Sequence, residues 1–174
     1  MTSRVQVYSD PLQHALLAVL VAAPLVPRFG RGPLVTAVAA AWLIDVDHPF
    51  AARSLRLADW TSMPVRPRTH SIVVAAGAGA LVTAAAGPVH GWAALAGLAS
   101  HLLHDAGDDS APTPLLWPGA PARQLGRRRQ LAGTAALALA SAAVARVSGG
   151  AAPRGRRRPA CVHGGGGAAR RRTA

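Results

Sequence analysis

The chain has no lysine and no glutamate, a single cysteine, and only 4% aromatic residues. Each absence excludes something. With glutamate missing, carboxylate chemistry falls to seven aspartates alone. With one cysteine, Cys161, neither an intrachain disulfide nor a paired Cys-x-x-Cys site can form. Arginine carries all the positive charge, and much of it lies in a Gly/Arg/Pro-rich stretch from about Ser148 onward. That stretch has neither the aromatics nor the recognisable module of a nucleic-acid reader, so a nucleic-acid partner is disfavoured. A disordered tail, or one attracted to lipid headgroups, is expected instead. The polar opening Met1–Asp10 lacks a short apolar region ending in a cleavage site, so no cleaved signal peptide is expected. Also missing are the Gly-x-Ser-x-Gly elbow, the His-Glu-x-x-His pair and the Gly-x-x-x-x-Gly-Lys phosphate loop.

What is present is apolar and small-residued. Half of the 174 residues are hydrophobic, mostly Ala, Val and Leu, and charge is sparse before the tail. This composition fits a membrane bundle whose small side chains let helix backbones approach closely. Five apolar segments can be marked, at about 12–27, 33–44, 71–87, 91–103 and 131–147. Pro24 and Pro27 end or kink the first, and Pro33 opens the second after a short turn holding Arg28, Gly30, Arg31 and Gly32. The residues from Gly87 to Gly91 make a second tight reversal. The expected fold is all-α, an integral membrane bundle of four or five helices over residues 1–147, followed by a low-complexity tail over 148–174. Whether the last segment spans is left open.

Polar chemistry sits at segment edges. His14 lies near the start of the first segment, Asp45, Asp47 and His48 end the second, His70 opens the third, and His101, His104, Asp105 and Asp108 end the fourth. If the four segments cross in alternation, all these groups meet at one membrane face. Ionisable residues near hydrocarbon are costly and mark functional sites by default. His101 and Asp105, four apart, share one helix face, as do Asp45 and His48, three apart. Asp47 is then left to bridge a second metal, orient a ligand histidine or act as general base. Thr69 is expected to cap the third helix, with His70 in its first turn. Arg66 and Arg68 precede it, and Arg66 is the candidate clamp for an anionic phosphate.

Mixed imidazole and carboxylate ligands suit zinc best, with manganese or iron as alternatives. The expected ligands are His14, Asp45, His48, His70, His101 and Asp105, with Asp47 as base. Arginines are concentrated in the loops on the side of these groups, against Arg28 and Arg31 on the other, which predicts a cytoplasmic site in a multi-pass inner-membrane protein. The partners expected are the lipid bilayer and a phosphoester or lipid substrate; no protein partner is deducible.

The ordered set Asp45-x-Asp47-His48-Pro49, Arg66-x-x-Thr69-His70-Ser71 and Ser100-His101-x-x-x-Asp105, followed by Leu115-Leu116-Trp117-Pro118, resembles the bacterial membrane-bound metal-dependent hydrolases. These are also described as LexA-binding, inner-membrane-associated hydrolases. The resemblance covers about residues 10–118 and implies phosphoester hydrolysis by a His/Asp-bound metal, as in zinc-dependent phospholipase C. Val65 and Pro67 depart from the family's usual histidine and glycine around the motif arginine. Two other readings of the same residues are a non-enzymatic membrane protein that binds or passes metal ions or protons, and a family member that folds but no longer catalyses.

Overall fold

Proline opens several of the helices in this chain, because it lacks the amide that a helix interior needs but fits its first turn. The computed structural model describes residues 4–107 and 111–148. Helix α1 (Arg4–Ala22) passes through a 3₁₀ turn at Ala23–Leu25, which contains Pro24, into the short α2 (Val26–Phe29). Gly30, at φ 71°, reverses the chain. Helix α3 (Gly32–Leu43) begins with Pro33 in its first turn and tightens into a second 3₁₀ turn at Ile44–Asp47 before α4 (His48–Ala52). A brief α5 (Leu57–Thr61) lies in the following loop.

Helix α6 (Ile72–Ala86) and α7 (Pro88–Gly107) are joined by Gly87 alone, at φ 89°. The reversal is thus tighter than the five-residue turn read from the sequence, since Pro88 already starts the next helix. A loop over 111–126 leads to α8 (Arg127–Val147). It is held by a two-way backbone pairing of Thr113 with Arg123 and by Leu115 accepting from the Ile72 amide.

Three stretches are long and apolar enough to cross a membrane: Pro11–Phe29, Gly32–Ala52 and Arg127–Val147. The last segment therefore qualifies as a span. Helix α6 is apolar but shorter. Helix α7, weak as a span in sequence, is the centre of the bundle. It packs against α1, α3, α6 and α8, and thirteen of its twenty residues are buried. Small residues make this possible. A Cβ on Gly97 would lie 2.2 Å from the Ala37 carbonyl oxygen, so α3 and α7 touch backbone to side-chain-free backbone. The outward faces carry Leu16, Leu20, Val35, Leu81 and Leu139, as expected of helices solvated by lipid.

The interior divides by depth. Ala22, Leu25, Ala37 and Ala93 fill the end near Gly30, and Ile44, Ala75, Leu98 and Leu102 fill the other half. Beyond that second layer the core turns polar. The tail expectation and Asp108 lie outside the described residues.

Candidate metal centre

Four chain segments deliver imidazoles and carboxylates to one end of the bundle. The α7 helix places His101 and Asp105 one turn apart on its most buried face, at 0% and 1% exposure. The turn after α3 supplies Asp45, the residues before α6 supply His70, and α1 supplies His14. The convergence on one end expected from alternating segments is what the fold produces.

The tightest grouping is formed by four atoms. His101 Nε2 lies 3.3 Å from Asp45 Oδ1 and 3.3 Å from Asp105 Oδ2, while His70 Nε2 lies 3.3 Å and 3.4 Å from the same two oxygens. For ligands ~2.0–2.1 Å from a tetrahedral zinc, the edges of the tetrahedron are ~3.3–3.4 Å. These four imidazole–carboxylate separations match that figure, and Asp45, His70 and His101 form a mutually close triad among them. A neutral imidazole Nε2 carries at most one hydrogen, so it cannot hydrogen-bond both carboxylates at once.

The donors also fit a cation by what they lack. Neither ring nitrogen of His101 and neither oxygen of Asp105 has a hydrogen-bond partner among the described residues, although all four atoms are buried. Buried carboxylates left so are costly unless a charge compensates them. Asp45, Asp47 and Asp105 bring three negative charges to the cluster, and Arg66 Nη2, 3.4 Å from Asp105 Oδ1, returns one positive. With neutral imidazoles, a single divalent cation balances the remainder.

The flanking residues are arranged around this core. His14 Nε2 is 3.5 Å from Asp105 Oδ1, and its ring stacks on His101 at 3.7 Å between centroids. His14, His101 and Asp105 thus make a second possible ligand triad, which shares His101 with the triad of Asp45, His70 and His101. On the opposite flank, the 3₁₀ turn at Ile44–Asp47 brings both aspartates to one histidine: His48 Nδ1 is 3.0 Å from Asp47 Oδ1 and 3.4 Å from Asp45 Oδ1. Regular α-helix was expected to turn Asp47 away. His48 belongs to neither triad and sits edge-on to His70 at 4.9 Å.

Thr69 does not cap α6. Ser71 does, in extended backbone, with its Oγ accepting from the Val74 amide at 3.4 Å. The Thr69 hydroxyl instead donates to Asp47 Oδ2, which also stands 3.9 Å from His70 Nδ1. Of the three tasks open to Asp47 in sequence, this geometry favours orienting, since the carboxylate stands behind His70 on the nitrogen facing away from the cluster.

Two elements escaped sequence reading. Gln130 on α8, 2% exposed, places its side-chain amide 2.8 Å from His104 Nδ1 and accepts from Arg127 at 3.2 Å. His104 in turn meets His14 edge-on at 4.7 Å. The only signal in sequence was a polar residue opening an apolar segment. The loop over 111–126 also ties down Arg66, whose amide donates to the Pro112 carbonyl. Val65, the departure from the family pattern, is 46% exposed and does not share the burial of the cluster. His90 lies elsewhere, 2.8 Å from the Thr36 hydroxyl.

Access is one-sided. Asp45 and Asp47 are 33% and 23% exposed, whereas His14, His70, His101 and Asp105 are sealed. A family model described as YdjM inner membrane protein matches residues 10–160 of the chain, which takes in every residue of the cluster and all of α8. No curated protein and no solved structure matches.

Proposed function

Because the chain belongs to the YdjM inner membrane protein family, we propose that its buried cluster makes it a membrane-bound, metal-dependent hydrolase acting on a phosphoester. The observation that carries this reading is the set of four 3.3–3.4 Å separations among His70, His101, Asp45 and Asp105. Zinc is the favoured ion, with manganese or iron as alternatives for the same donors. Bound there, the ion would lower the pKa of a water toward ~7 and polarise a phosphoryl oxygen.

The residues of the chain supply the rest. The exposed side of Asp45 and Asp47 admits substrate. Asp47, through His70 and His48, holds the imidazoles in register, and as the cluster's carboxylate outside both triads it is the candidate base for the attacking water. Arg66 brings positive charge against the buried side of the cluster and is the group suited to an anionic phosphoryl oxygen. In the net reaction the water oxygen bonds to phosphorus, the ester P–O bond breaks, and the proton leaves with the alcohol.

The site is proposed to face the cytoplasm, since Arg53, Arg56, Arg66, Arg68, Arg123 and Arg127–Arg129 lie on its side of the bundle in sequence order, against Arg28 and Arg31 at the other. A reporter fused after Pro118 tests this and should read as cytoplasmic. Activity is tested with purified full-length protein, stripped by chelator or reloaded with zinc, on a bis(nitrophenyl) phosphate and on phosphatidylglycerol. Zinc-dependent release, lost in Asp45→Ala, is expected. Zinc held at one equivalent without turnover of either compound would leave a metal-binding protein instead.

A further inference from the structure

Helix α8 supplies no member of either triad, yet one of its side chains reaches the cluster. Gln130 lies in the first turn of α8, buried, where the chain is fastened to the last turn of α7. The Leu125 amide donates to the Ala106 carbonyl at 2.6 Å, and a Cβ on Gly107 would lie 2.5 Å from the Gln130 Cβ. The missing side chain at Gly107 is what lets Gln130 come this close.

The contacts of Gln130 have a direction. Arg127 Nη1 lies 3.2 Å from Gln130 Oε1, and a guanidinium only donates, so the amide turns its oxygen to Arg127. The amide nitrogen then faces His104 Nδ1 at 2.8 Å, and an NH2 group also only donates. His104 Nδ1 must therefore accept, which puts the hydrogen of that ring on Nε2. With one nitrogen accepting from Gln130 and the other carrying hydrogen, His104 has no lone pair to give a cation, although it stands between His101 and Asp105 in the chain. Its ring instead meets His14 edge-on at 4.7 Å, and His14 stacks on His101 at 3.7 Å.

We propose that Gln130 is a positioning residue of the metal centre: it fixes the tautomer of His104, keeps that imidazole out of the ligand set, and so makes it the support that holds His14 beside His101 and Asp105. The role rests on the reading of the cluster as a metal centre. It gives α8, which brings no ligand, control over the His14 side of the site.

The test uses the full-length protein in detergent micelles with isotope-labelled histidine, its ring-nitrogen resonances read by NMR without metal and its zinc affinity then measured against a chelator. His104, identified by the resonance lost in His104→Phe, should show a bare Nδ1 and a hydrogen on Nε2. Gln130→Glu keeps the size of the side chain and reverses its hydrogen bond, because a carboxylate only accepts. A merely space-filling Gln130 would tolerate that change. Instead the hydrogen should move to Nδ1 and zinc affinity should fall by about tenfold, the low end of the ~10–100-fold that follows loss of a ligand-orienting partner. Gln124→Glu places the same charge on the exposed loop ahead of α8 and should change neither readout. Where Gln130→Glu does not elute as a single species, Gln130→Leu takes its place and should leave both tautomers populated, with the same loss of affinity. A wild-type His104 with its hydrogen on Nδ1, or a zinc affinity indifferent to residue 130, overturns the proposal. A wild-type protein with the stated tautomer that holds no zinc overturns instead the metal-centre reading beneath it.

Discussion

His101 Nε2 and Asp105 Oδ2 face each other at 3.3 Å across one turn of α7, both sealed from solvent, in a geometry that is not a hydrogen bond. One helix thereby presents two donors at the separation expected of neighbouring ligands on a tetrahedral ion. Asp45 and His70 join His101 in one triad from two other segments, and His14 joins His101 and Asp105 in the other.

Replacing either α7 residue should remove metal. In His101→Ala and Asp105→Ala, zinc affinity should fall by more than the ~10–100-fold that follows loss of a ligand-orienting partner. Elemental analysis after gel filtration measures it, and unchanged stoichiometry in both variants would remove them from the ligand set.

Asp47→Asn should keep the metal but hold it more weakly. Its carboxylate stands behind His70 and beside His48, so the expected loss is ~10–100-fold in zinc affinity. Competition with a chelator of known affinity reads it. A loss as large as that in His101→Ala would make Asp47 a direct ligand.

Gly97→Ala should harm the site without touching it. The added Cβ would lie 2.2 Å from the Ala37 carbonyl oxygen, forcing α3 from α7 and with it Asp45 from His101. Overpacking of this kind costs ~1–3 kcal/mol. Thermal melting in detergent should shift down together with zinc affinity, whereas the same change at Gly77, which meets nothing within 4 Å, should leave both in place.

Zinc should leave as pH falls. Bound imidazoles must be neutral, so protons compete with the metal for the ring nitrogens as pH falls. With two histidines in the tightest set, affinity should drop by up to about two decades per pH unit in the acid range. Titrations at several pH values check the slope, and a pH-independent affinity would exclude imidazole ligands.

Much of this was legible in sequence because the polar residues stand out against bland helices. Asp45, His70, His101 and Asp105 mark segment edges, and alternation of segments suffices to bring them to one end. Local backbone was harder to read. Thr69 and Ser71 are equally good caps by residue type, and only the tertiary demand of Asp47 on the Thr69 hydroxyl leaves the cap to Ser71. The 3₁₀ turn that swings Asp47 onto His48 has no signature stronger than the proline after it. Gln130 was invisible because its partner, His104, is remote in the chain and no spacing rule joins them. The central place of α7 likewise depends on glycines whose contacts lie on other helices.

X-ray absorption at the zinc edge of the purified, zinc-loaded protein tests the central claim most directly. The account predicts one equivalent of metal with about four nitrogen or oxygen neighbours at ~2.0–2.1 Å and the outer-shell scattering of two imidazoles. A protein that retains no zinc after desalting, or zinc whose surroundings contain no imidazole, would contradict it.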